Sequence, residues 1–148
     1  MISQTAEYAL RAIVHMAANP DKPQPAHQIS EATHVPVPYL SKVLQALVRG
    51  KLIQSQRGLH GGFTLLKRPE NLTVYEIVQA VDPMRRILTC PLGLKAHGVH
   101  LCPLHRRLDD AMETVESSFR ATTIAEILSE PTSSKPLCPF PVETPSLP

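Results

Sequence analysis

Apolar residues recur at helical spacing in several separate stretches, and the gaps between them carry turn chemistry. Tyr8, Leu10, Ile13, Val14 and Ala17, with no internal Pro or Gly, predict an amphipathic helix over residues 3–18, ended by Asn19, Pro20 and Pro23. A short second helix, starting at Pro25 or Ala26 and reaching Thr33, buries Ile29 and Ala32, and His34, Val35 and Pro36 form a turn. A third helix begins near Pro38, with Leu40, Val43, Leu44 and Leu47 as its inner stripe and Gly50 as a left-handed cap. Two helices joined by a tight turn read as a helix-turn-helix.

Residues 52–57 and 63–67 have strand composition, and Gly58, Gly61 and Gly62 between them supply a permissive turn, so a hairpin follows the third helix. A helix-turn-helix followed by a hairpin is a winged helix. Thr73 and Glu76 form a capping box for a further helix over 73–81, whose inner face is Val74, Ile77, Val78 and Val81. Residues 82–102 lack a period and hold Pro83, Pro91, Gly93 and Gly98, which reads as a long functional loop. A long helix over 103–120 carries Leu104, Leu108, Ala111, Met112, Val115 and Phe119, more apolar surface than a lone surface helix needs, and dimerisation is its natural use. The acidic pair Asp109-Asp110 reads as the solvated face of that helix. A short capped segment follows at 123–128, and residues 131–148, with six of the 15 prolines, read as a disordered tail. The organisation expected is a winged head over 1–82, a loop over 83–102, a dimerisation region over 103–130 and a tail over 131–148. The fold class expected is mainly α, with a small β-hairpin wing and a long C-terminal dimerisation helix.

Composition narrows the function. At 148 residues the chain supports one ordinary domain and little more. No apolar run is long enough to span a membrane and the start lacks a secretory pattern, so a soluble cytoplasmic protein is expected. Residues 1–89 carry ten basic and six acidic groups, while 90–148 carry five and seven, so the first part holds the basic surface expected of a DNA-binding head. No phosphate loop, nucleophile elbow, zinc-protease motif or pair of carboxylates in a candidate cleft appears, which argues against an enzyme.

In such a head the second helix of the motif enters the major groove and the wing reaches the flanking backbone or minor groove. Tyr39, Ser41, Lys42 and Gln45 lie off the apolar stripe: Gln can pair adenine, Lys can reach guanine or phosphate, and Tyr or Ser can donate to phosphate. Arg57 and His60 sit in the wing among glycines, with Gly61 allowing close backbone approach to DNA, and Arg57 is the strongest single candidate.

Three stretches carry a family resemblance: Glu7-Tyr8-Ala9-Leu10-Arg11-Ala12, Val37-Pro38-Tyr39-Leu40-Ser41-Lys42-Val43-Leu44, and Ser55 through Leu65 with its Arg57-Gly58 and Gly61-Gly62 steps. Weaker agreement runs through 73–82 and ends at 122–128. The chain resembles the Rrf-two family of bacterial transcription regulators. The resemblance implies a homodimer with crossed long helices, each head reading half of a palindromic double-stranded operator as a repressor would, and a sensing loop before the long helix. Family members that hold an iron–sulfur cluster place three cysteines in that loop. Here Cys90 and Cys102 match the outer two and His105 matches a histidine that follows the last, but the middle position, near Ala96, has no cysteine. A cluster held by three loop cysteines is therefore excluded.

The resemblance leaves a mixed site of Cys90, Cys102 and His105, with a fourth ligand from His97, His100 or Glu7 of the partner subunit. Such a set suits a 2Fe–2S centre, and zinc equally. Cys102 precedes Pro103 at a helix start, where backbone N–H groups and the macrodipole favour a thiolate, so a metal-free thiol switch of Cys90 and Cys102, or a loop that meets a small molecule, is the alternative. All three cysteines precede proline, a dipeptide some haem-responsive proteins use, but loop and helix-start geometry accounts for two and the Pro-rich tail for Cys138, which disfavours haem.

Overall fold

The computed structural model describes residues 2–97, 100–131 and 136–137, and only the backbone of His97. The first helix, α1 (Gln4–Ala17), is capped by the Ser3 hydroxyl, which accepts from the Ala6 N–H at 3.2 Å. Its buried residues are Ala6, Ala9, Ala12, Ile13, Val14, Met16 and Ala17, whereas Tyr8 and Leu10 of the expected stripe are half-buried at its margin. The small side chains among them let α2 (Ala26–Thr33), α3 (Val37–Arg49) and α4 (Val74–Val81) all pack against α1. In α2 the inward residues are Ile29 and Thr33, and Ala32, expected inside, is exposed. Thr33 tolerates burial because its hydroxyl donates to the Ile29 carbonyl at 2.6 Å.

The turn between α2 and α3 is tied at three points. His34 is left-handed at φ 55°, the Ser30 hydroxyl donates to the Val35 carbonyl at 2.6 Å, and Val35 is buried. The inner stripe of α3 is Leu40, Val43, Leu44 and Leu47, as its spacing predicts. Gly50 is not the left-handed cap: its φ is −73°, and Lys51 takes the positive angle, φ 56°. Gly50 is small for a packing reason, since a Cβ there would lie 2.9 Å from the Ala80 Cβ of α4.

Strands β1 (Ile53–Gln56) and β2 (Gly62–Leu65) pair antiparallel with Ile53 opposite Leu65 and Gln56 opposite Gly62, a hairpin shorter than expected. Gln24 adds one bridge to Phe63 on the open side of β2. After a 3-10 turn (Pro69–Asn71), α4 starts with the capping box of Thr73 and Glu76; Val74, Ile77 and Val78 are buried and Val81 is half-buried. The long helix α5 (Pro103–Ala121) leaves this body and α6 (Ile124–Ser129) brings the chain back, with its own capping box of Thr123 and Glu126. Thr73 and Thr123 pair as an isolated bridge, and the Ile124 N–H donates to the Leu72 carbonyl at 2.8 Å. Ile124 is thereby sealed into the core beside Ile13, Leu72 and Ile77. The result is a winged helix-turn-helix with a protruding long helix. The expected tail, including Cys138, lies outside the described residues apart from Pro131, Pro136 and Leu137. Among the described residues no helix is long and apolar enough to cross a membrane.

Candidate DNA-reading head and sensor loop

Because Leu40, Val43, Leu44 and Leu47 fix α3 to the core, the residues between them are set facing outward. Tyr39, Lys42 and Gln45 are exposed and Ser41 is half-buried. Tyr39 is supported from behind, since its ring meets that of Tyr8 edge-on at 6.2 Å and the Arg11 guanidinium lies 5.6 Å from the Tyr8 ring. Arg11 also pairs with Glu7 at 2.7 Å and donates to the Thr33 carbonyl at 3.3 Å, joining α1 to the C-terminus of α2. Sequence reading missed this support; Tyr8 and Arg11 are three residues apart on one helix face, which is the signal that pointed to it.

In the wing, Arg57 and His60 are exposed. Gly58 has φ 113° and the Gly61 N–H donates to its carbonyl at 3.0 Å. A Cβ on Gly61 would lie 2.3 Å from the Gln56 carbonyl oxygen, so the tight tip requires glycine at that position. Lys42 and Arg57 form no ion pair among the described residues, so both charges are available to an external anion.

Among its described residues the 83–102 segment is mostly irregular, with a 3-10 turn at Lys95–His97. Its end is ordered by α5: Cys102 is the N-cap, its carbonyl accepts from the Arg106 N–H at 2.9 Å, and its Sγ lies 3.3 Å from Nδ1 of His105. Both side chains are half-buried. Cys90 is also half-buried, and neither it nor Cys102 is in a disulfide. His100 is exposed, the His97 side chain lies outside the described residues, and Glu7 is held by Arg11. Among the described residues no three His, Cys, Asp or Glu side chains converge in a group able to hold a metal ion. Two of the expected donors therefore meet, at Cys102 and His105, and the described arrangement does not assemble the full mixed set.

The beginning of the loop is fastened by a contact the sequence reading had wrong. Asp109, expected on the solvated face of α5, is buried, and Arg86 grips it with two hydrogen bonds of 2.7 Å while the Ile87 N–H donates to it at 2.8 Å. Arg86 reaches Glu113 as well, at 3.3 Å. The Arg86 hydrogen bonds, opposed by desolvation and aided by Ile87, hold the Asp109 carboxyl below its ordinary range. A carboxyl lowered on folding stabilises in full above its unfolded value, about 3.9, and loses that contribution as pH falls through the lowered folded value. The latch is thus closed at neutral pH and opens only in acid. Protection of the Ile87 amide against hydrogen exchange is expected to persist from neutral pH to about pH 4 and to be lost in Asp109→Asn; equal protection in the variant would show that the carboxylate is not what holds the loop.

Above the latch, an apolar groove of about 820 Å³ separates α5 from the head, lined among others by Ala6, Val78, Met84, Leu108, Met112 and Val115. Leu104, Leu108 and Val115 are 63%, 48% and 42% exposed, so the apolar stripe of α5 is largely uncovered in the single chain.

The Rrf2 family, described as iron-dependent transcriptional regulators, matches residues 2–130. A helix-turn-helix-type transcriptional regulator of Aquifex aeolicus is 26% identical over 132 residues, 87% of this chain and 92% of that protein. The helix-turn-helix-type regulator IscR of Yersinia pseudotuberculosis is 27% identical over 129 residues, covering 86% and 79% of the two chains. Among solved structures, CymR, the global cysteine regulator of Bacillus subtilis, superposes with a TM-score of 0.71 at 22% identity, covering 86% of this chain and 95% of that one. IscR of T. potens gives 0.70 at 20%, covering 86% and 85%. The structural likenesses show a shared fold, and the family and sequence relatives are transcriptional regulators, not enzymes. The chain belongs to the Rrf2 family and is a DNA-binding transcriptional regulator.

Proposed function

We propose that the chain acts in the cytoplasm as a homodimeric repressor, each head (1–82) reading half of a palindromic operator and the 83–102 loop passing a signal to the dimerisation region (103–130). Tyr39, Ser41, Lys42 and Gln45 contact the major groove, and Arg57, His60 and Gly61 contact the flanking backbone and minor groove. The observation that carries this reading is the placement of two exposed cations that form no ion pair among the described residues, Lys42 on the outer face of α3 and Arg57 on the wing. The uncovered stripe of α5 supports the dimer.

The signal is sensed at Cys102. Its Sγ shares a hydrogen bond with His105 at the start of α5, a pairing that suits thiol chemistry. With a peroxide, the sulfur would take one oxygen to give a sulfenic acid while water leaves, and Cys90 could then displace a second water to form a disulfide. A second reading is favoured by the iron dependence ascribed to the family: a 2Fe–2S cluster held by Cys90, Cys102 and His105, with His97, His100 or Glu7 of the partner subunit as fourth ligand. Zinc would take the same donors. Iron, zinc and acid-labile sulfide, measured with a visible spectrum on protein purified without oxygen, separate the readings. Thiol sensing predicts no stoichiometric metal, and operator binding that changes with peroxide in the wild type but not in Cys102→Ser. Stoichiometric iron and sulfide, lost in Cys90→Ser and Cys102→Ser, would establish the cluster instead. Neither metal nor peroxide response would remove Cys102 from the mechanism.

A further inference from the structure

The most exposed large apolar side chain among the described residues is Leu59, at 95%, and it stands at the tip of the wing between Arg57 and His60. A lone exposed leucine is ordinarily uninformative. Here the backbone makes it otherwise. The Gly61 N–H closes the tip onto the Gly58 carbonyl, Gly58 takes φ 113°, and Gly61 is pressed so close to the Gln56 carbonyl that no Cβ fits. The hairpin is therefore held in a shape that presents Leu59 outward instead of folding it back onto Phe63 or Leu65, which are half-buried at the base. Arg57 beside it can bind a phosphate and His60 can hydrogen-bond one, and an apolar group held between them meets what lies between two phosphate backbones.

We propose that Leu59 is a minor-groove specificity residue, packing on the groove floor beside each half-site and selecting A·T over G·C there. The reasoning is chemical. A·T and T·A pairs present only acceptors in the minor groove, whereas G·C adds the guanine N2 amino group, a donor that projects into the groove and that an apolar side chain would desolvate without offering a partner. Apolar side chains are used in this groove, and Leu is among them. Leu59 carries no charge, so its contribution to affinity is independent of salt, unlike that of Arg57.

This inference rests on the wing lying along DNA, and its test separates the two. The operator is the sequence that the wild-type full-length chain selects from a random duplex library, and the base pairs flanking each half-site are then made A·T, G·C or inosine·C. Inosine keeps the major-groove face of guanine and lacks the N2 amino group. Wild-type protein is expected to bind A·T and inosine·C flanks alike and G·C flanks about tenfold more weakly. Leu59→Ala is expected to bind the A·T operator several-fold more weakly with an unchanged salt slope, and to treat all three flanks alike. Equal discrimination by wild type and Leu59→Ala, or none by either, overturns the proposal. If Arg57→Ala and Lys42→Ala still weaken binding in that case, the docking of the head stands; if those too bind normally, the reading of the head itself has failed.

Discussion

Arg57→Ala and Lys42→Ala are each expected to weaken operator binding by roughly tenfold to a hundredfold, the cost of about 1–3 kcal/mol for a lost specific base or phosphate contact. The expectation follows from where the two charges sit. Both side chains are exposed and neither forms an ion pair or side-chain hydrogen bond among the described residues, so removing them leaves the internal polar contacts intact. Folding should be untouched, and thermal melting of either variant should match the wild type. The salt dependence then says what each residue touches: a variant that has lost a phosphate contact shows a slope of log affinity against log salt shallower by about one, while one that has lost a base contact relaxes specificity at one position. Titration of labelled operator at several salt concentrations reads both, and normal binding by both variants would contradict the docking of α3 and the wing.

The second large effect is expected on α5. Leu108 and Val115 lie seven residues apart on one face, half exposed, at the edge of the groove between the helix and the head. A carboxylate placed in a buried apolar interface finds no partner and resists desolvation. Leu108→Glu combined with Val115→Glu is therefore expected to turn a dimer into a folded monomer, read by sedimentation or light scattering. Operator affinity should fall about a hundredfold or more, because the second head then binds as an independent molecule instead of at the high effective concentration its linkage provides. A dimer that survives both substitutions would place the interface elsewhere.

Much of this architecture was legible because short-range chemistry dictates it. The stripe Leu40, Val43, Leu44 and Leu47, the capping boxes at Thr73 and Thr123, and the glycine-rich wing each need only neighbouring residues to be read. What escaped depends on contacts across the chain. Gly50 looks like a helix terminator from its neighbours, yet its smallness is set by Ala80 thirty residues on. Ala6, Ala9 and Ala12 form the buried face of α1 because three helices crowd it, and a hydrophobicity pattern weights Tyr8 and Leu10 above them. Asp109 looks solvated until Arg86 is placed beside it, and a pair 23 residues apart, across an irregular segment, has no period to reveal it. In the candidate site, the pairing of Cys102 with His105 follows from three-residue helical spacing, whereas the position of Cys90 depends on the path of the whole loop.

That same latch bears on how a signal could travel. Arg86 and Asp109 fasten the start of the loop to α5 one helical turn beyond His105, while Cys102 begins the helix, so both ends of the loop bear on the first two turns of α5. In the proposed dimer with Cys102 as its sensor, a chemical change at that thiol would act on the helix that carries the apolar stripe, and through it on the spacing of the two heads. A signal shifts operator affinity only if it is bound or formed differently in two such arrangements.

The central claim, that two heads of one dimer read DNA together, is tested most directly by selecting bound duplexes from a random library with the full-length chain and sequencing them. The account predicts an inverted repeat whose half-sites are separated by a fixed spacing, and loss of the repeat in favour of a weakly enriched single half-site with the Leu108→Glu, Val115→Glu protein. Enrichment of an asymmetric single site by the wild type, or of no sequence at all, would contradict it.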